Sequence, residues 1–163
     1  MKDLTSLVIS VGQRLTAHHL KLVTAESCTG GLLAKAITDV AGASAFFERG
    51  FIVYSELSKQ ELLGVEPKTL TQFGAVSQET VSEMVAGALE RSPAEIGIAV
   101  TGIAGPQGGT PAVPIGSVWL AWASRFWPLT TKAYQFSGSR INVRDQCVLA
   151  SLKELEALLA QHF

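Results

Sequence analysis

The sequence predicts an α/β fold, one layered domain built around a mixed sheet, and three observations point to it. Short apolar runs of strand character alternate with segments whose apolar residues recur every three or four positions. Toward the C-terminal side, two strand-like runs follow one another with only a turn between them, which adds an antiparallel hairpin to an otherwise parallel pattern. Across 163 residues no internal repeat, low-complexity tract or break in composition marks a linker, and that length suits a single domain, 1–163.

Taken in order, Leu4, Leu7, Val8, Val11 and Leu15 repeat at helical spacing and predict an opening amphipathic helix. Residues 20–24 read as a short buried strand. It runs through Glu26-Ser27-Cys28-Thr29-Gly30-Gly31 into a helix-like stretch at 32–37, which places Ser27 at the mouth of a helix. Gly42-Ala43-Ser44 reads as a loop and residues 51–54 as a β-rich run. Residues 58–63 look like a short helix closed by Gly64, and residues 67–73 like another helical turn. Ser77 is an N-cap for a helix whose stripe is Val81, Met84, Val85, Ala88 and Leu89. A strand at 96–101 leads into a Gly/Pro loop over 102–114. The hairpin follows at 116–123 and 130–136, turning near Trp127-Pro128. Val148, Leu149, Leu152, Leu155 and Leu159 give the last helix its apolar face.

Composition narrows the partners. A hydrophobic fraction of 47% with 17% charged residues predicts a compact core rather than disorder. A formal net charge of -1 lacks the basic footprint that nucleic-acid binding needs, so no nucleic acid is expected. A small anion remains compatible, because one or two placed arginines suffice for it. No apolar run is long enough to span a membrane, and residues 1–12 carry no signal-peptide pattern, so a cytoplasmic location without membrane contact is expected. In that setting Cys28 and Cys147 read as free thiols. His18, His19 and His162 have no ligand spacing to other metal-binding residues, so neither a metal nor another cofactor is expected.

Three segments carry chemistry. In the first, a serine before a helix sits where unpaired N–H groups gather, and such donors can hold the oxyanion formed when a hydroxyl attacks an amide. A serine there can equally be only a cap. A nucleophilic serine needs a base, and no histidine is placed for the task. A lysine can substitute if burial lowers its pKa, and Lys59 is the best placed, although a solvated surface lysine is the other reading. Cys28 is a rival nucleophile one residue on. The second segment, Thr101-Gly102-Ile103-Ala104-Gly105-Pro106-Gln107-Gly108-Gly109, follows a strand as crevice loops do, yet matches neither a Walker loop nor a dinucleotide fingerprint. The third, Phe136-Ser137-Gly138-Ser139-Arg140, opens the last helix, with Arg144 one turn on and Ser137 or Ser139 available as cap. A phosphate suits that end of a helix.

These stretches, with Gly74-Ala75-Val76-Ser77 and Pro114-Ile115-Gly116-Ser117-Val118, resemble in order the motifs of the CinA C-terminal domain family, over essentially the whole chain. The resemblance implies a three-layer α/β/α sandwich around a mixed sheet, often dimeric, so a homodimer is expected. It further implies an amidase that converts nicotinamide mononucleotide and water to nicotinic acid mononucleotide and ammonia in pyridine nucleotide salvage. On the matching positions, Ser27 and Lys59 form a metal-free Ser/Lys dyad. Tyr54, Thr101 and Arg140 fall at polar pocket positions and Gly30 and Gly31 in the nucleophile turn. Thr29, Gly105 and Arg144 complete the expected substrate-binding set. Ser139 stands where the family often has Asp, and 111–114 alters a variable loop. The alternative is a non-catalytic nucleotide-binding module tied to competence or DNA repair.

Overall fold

The computed structural model describes residues 3–163, so the expected domain begins two residues outside them. The elements run α1 (Leu4–Ala17), β1 (Leu22–Glu26), α2 (Leu32–Thr38), a 3₁₀ turn (Ala43–Ala45), β2 (Phe47–Ile52), α3 (Glu56–Leu63) and α4 (Pro67–Phe73). They continue with α5 (Gln78–Glu90), β3 (Ile96–Gly102), β4 (Ser117–Ser124), β5 (Thr130–Gln135) and α6 (Arg140–His162). The five strands form one sheet in the order β2-β1-β3-β4-β5. β2, β1 and β3 are parallel, while β3, β4 and β5 are joined antiparallel, which is the mixed sheet the hairpin predicts.

Side chains alternate across the sheet, and the alternation builds two cores. Ile96, Ile98 and Val100 of β3 and Leu120 and Trp122 of β4 pack with α1, α2 and α6. Val23, Ala25, Ala99 and Ala121 face the other way, into a core with Leu63 of α3, Leu70 of α4 and Val81, Met84, Val85 and Ala88 of α5. The result is a three-layer α/β/α sandwich. Small strand residues under α5 let that helix lie close to the sheet, and α3 in turn packs onto α5 at Gly87, where a Cβ would collide with the Leu63 carbonyl oxygen. Gly87→Ala should therefore destabilise the fold by about 1–3 kcal/mol despite its better helix propensity. Chemical denaturation checks this, and an unchanged midpoint would contradict the packing.

Three elements shift by two residues or more from the sequence reading. β1 starts at Leu22, not at residue 20, because the Leu20 amide still donates to the Leu15 carbonyl as the chain leaves α1. β2 lies at Phe47–Ile52 rather than 51–54. It is an edge strand that pairs with β1 alone, so it tolerates Glu48, Arg49 and Gly50 and shows no apolar run. α3 begins at Glu56, capped by the Ser55 side chain, which leaves Lys59 a turn inside the helix rather than at its start. α6 begins at Arg140 as expected, and of the two serines available as its cap the structure takes Ser139. Ser139 and Asn142 form a reciprocal capping box.

Candidate active site

The carboxyl ends of parallel strands leave a crevice in such sheets, and a cavity of about 260 Å³ lies there. Ser27 follows the last residue of β1, and its amide extends the ladder by donating to Val100 O at 3.0 Å. Across the cavity wall stand Tyr54 after β2, Lys59 of α3, Thr101 at the end of β3, Gly105 of the loop beyond it, and Arg140 of α6.

Lys59 is 1% exposed, an unusual place for an amine. Its Nζ lies 2.9 Å from Ser27 Oγ, 2.8 Å from Val53 O and 3.3 Å from Tyr54 O. None of these partners is a carboxylate. Burial pulls the Lys59 pKa below its usual 10.5, with Cys28 and Glu56 acting the other way. Ammonium would donate to all three oxygens. A neutral amine would donate to the two carbonyls and turn its lone pair to the serine hydroxyl, the arrangement a general base requires.

The turn that carries Ser27 is fixed from beneath. α2 begins only at Leu32, and its N-cap position is Gly31 with φ 99, a left-handed conformation that suits glycine and offers no side-chain cap. The Glu26 carboxylate takes over. Buried at the end of β1, it accepts from Gly31 N at 3.1 Å, Leu33 N at 3.0 Å and Ala34 N at 2.9 Å. Thus Ser27 is not the cap of α2, and the Gly31 amide is already committed, as is the Gly30 amide to Ser27 O at 3.1 Å. Sequence reasoning missed this role of Glu26. Its signal was an acid ending an apolar strand just before paired glycines.

Other expected residues divide between the cavity and its support. Arg140 donates to Gly105 O at 2.8 Å and to Tyr54 Oη at 3.2 Å, joining three segments at the mouth. The Thr101 hydroxyl donates to Ala75 O at 2.8 Å, which draws the Gly74–Ser77 stretch to the wall along with Val76. Thr29, Gly30, Gly31 and Arg144 do not line the cavity. Arg144 reaches instead under the turn, from Nε to Cys28 O at 3.2 Å and from Nη2 to Thr29 O at 2.9 Å. The Cys28 and Cys147 thiols are free and buried in the core. Their mutual hydrogen bond, followed by burial, pushes the Cys147 thiol up. Among the described residues no group of three or more His, Cys, Asp or Glu side chains could hold a metal ion, and no helix is long and apolar enough to cross a membrane.

Known proteins share this architecture. The CinA C-terminal domain profile matches residues 4–159. A nicotinamide-nucleotide amidohydrolase PncC from Enterobacter agglomerans is 48% identical over 152 residues, 93% of this chain and 93% of that protein. The protein of the same name from Escherichia coli (strain K12) is 46% identical over 153 residues, 94% and 93% of the two chains. The crystal structure of the competence/damage inducible protein CihA from Agrobacterium tumefaciens superposes with a TM-score of 0.94 at 42% identity, covering 97% of this chain and 96% of that one.

Proposed function

Because this chain belongs to the CinA C-terminal domain family, we propose that it is an amidohydrolase that converts nicotinamide mononucleotide to nicotinic acid mononucleotide and ammonia within pyridine nucleotide salvage. The observation that carries the proposal is the buried Lys59 amine, 2.9 Å from the Ser27 hydroxyl in the wall of the cavity. Neutral Lys59 takes the hydroxyl proton as Ser27 Oγ attacks the carboxamide carbon. The tetrahedral oxyanion is held by backbone N–H groups of the nucleophile turn. As the C–N bond breaks, Lys59 returns the proton to nitrogen and ammonia leaves. Water, activated by the same amine, then cleaves the nicotinoyl ester and frees Ser27.

Arg140 supplies the selectivity for a nucleotide. It stands at the mouth, half of its fork held by Gly105 O and half by the exposed Tyr54 hydroxyl, where a 5′-phosphate can be met as a charged, two-point partner. The test is ammonia release from the mononucleotide, from its nucleoside and from free nicotinamide. Turnover is expected with the first and little with the others. Arg140→Ala should raise KM for the mononucleotide by about 10- to 100-fold, the loss of a charge-assisted contact, while kcat changes less. Equal turnover of phosphorylated and unphosphorylated amides would remove the nucleotide from the proposal.

A further inference from the structure

The nucleophile turn has few amides left to give. Ser27 N is bound to Val100 O, Gly30 N to Ser27 O, Leu32 N to Thr29 O, and Gly31, Leu33 and Ala34 N to Glu26. Among the described residues, only the Cys28 and Thr29 amides of this turn donate to no acceptor on another residue. Cys28 borders the cavity while its side chain packs in the core, and it is the residue after the nucleophile, whose N–H is the oxyanion donor at an α/β-hydrolase nucleophile elbow.

We propose that Arg144 is the positioning residue for this oxyanion site. Its planar fork grips the carbonyls of Cys28 and Thr29 together, at 3.2 and 2.9 Å. Holding two successive carbonyls fixes the peptide planes on either side of Thr29, which carry the Thr29 and Gly30 N–H groups, and Gly30 N in turn donates to Ser27 O at 3.1 Å, the carbonyl of the peptide that carries the Cys28 N–H. The guanidinium on Cys28 O also polarises the peptide that ends in the Thr29 N–H, making it a stronger donor. Arg144 thus acts through the backbone and touches no substrate, unlike Arg140 one turn earlier on the same helix. Of the two arginines that open α6, one serves the mouth of the cavity and the other its floor.

This inference rests on the serine-hydrolase reading above, and a probe separates the two. A fluorophosphonate reacts with an activated serine: the Oγ–P bond forms, the P–F bond breaks with loss of fluoride, and the hydroxyl proton passes to Lys59. Labelling of Ser27 and amide turnover are measured for the wild type, Arg144→Met and Arg144→Lys, with thermal unfolding to count folded protein. The expected result for Arg144→Met is a drop of about 10- to 100-fold in both labelling rate and kcat, as for a misplaced oxyanion donor, with KM within about threefold. The loss should be the same factor for the mononucleotide and the nucleoside. Arg144→Lys should restore part of it, because a point charge holds one carbonyl but not two, and it decides the matter if the methionine variant does not fold. Wild-type labelling in both variants, or a KM increase confined to phosphorylated substrate, overturns the assignment. A labelled wild type that releases no ammonia ends the amidase reading while the labelling comparison still judges Arg144. An unlabelled Ser27 in the wild type ends both.

Discussion

Ser27→Ala is expected to abolish ammonia release from the mononucleotide, by about 10³-fold or more, with thermal stability close to the wild type. Among the described residues the hydroxyl makes one hydrogen bond, with Lys59, so its loss removes a nucleophile without opening the core. Cys28→Ala is the comparison that gives this result meaning. The Cys28 side chain is buried in the same core cluster as Cys147 of α6, so its removal should shave stability and leave most of the turnover. A dead Cys28→Ala beside an active Ser27→Ala would move the nucleophile one residue along the chain. Two dead variants of normal stability would mean that the thiol supports the turn more than its contacts imply.

How far the sequence announced this arrangement depends on where each signal lives. Buried strands and helices were legible because one periodicity governs each: Ile96, Ile98 and Val100 alternate with residues facing α5, and Val81, Met84, Val85 and Ala88 mark one helical face. β2 was misplaced because an edge strand has one neighbour and half-exposed faces, so Glu48 and Arg49 fit in it as well as apolar residues do. The glycine-bearing turn was visible as a motif, but its mechanics were not. Glu26 closes on amides five to eight residues ahead, and Arg144 reaches back more than a hundred residues, a separation no local pattern encodes. Lys59 shows the same limit. Its own helix has little amphipathic character, so nothing nearby in sequence said whether the amine faced water or Ser27. Tertiary packing decides that, through α3 lying across α5 and against the exit of β2.

Lys59→Met should be the second large loss, about 10²- to 10⁴-fold in kcat, the range for removing a general base. Its pH behaviour distinguishes a base from a mere neighbour. Burial lowers the folded-state pKa of Lys59, so wild-type kcat/KM should climb with pH along a limb centred below 10.5, as the amine loses its proton. The residual activity of the methionine variant should lack that limb. Stability carries the same titration with a defined sign. Between the folded pKa and 10.5 the unfolded chain holds one proton more than the folded chain, so wild-type stability should rise with pH there, by at most about 1.4 kcal/mol per pH unit for this group. Below the folded pKa both states are protonated and the slope vanishes, which is where the buried ammonium costs most. The methionine variant, free of that cost but leaving the Val53 and Tyr54 carbonyls without their donor, should therefore be favoured relative to the wild type at low pH and lose its advantage as pH climbs toward 10.5. Denaturant midpoints of both proteins across that range test the sign directly. A stability difference that stays constant with pH, joined to a methionine variant that still turns over the mononucleotide, would leave Lys59 as a buried strut and return the search for the base to the cavity wall.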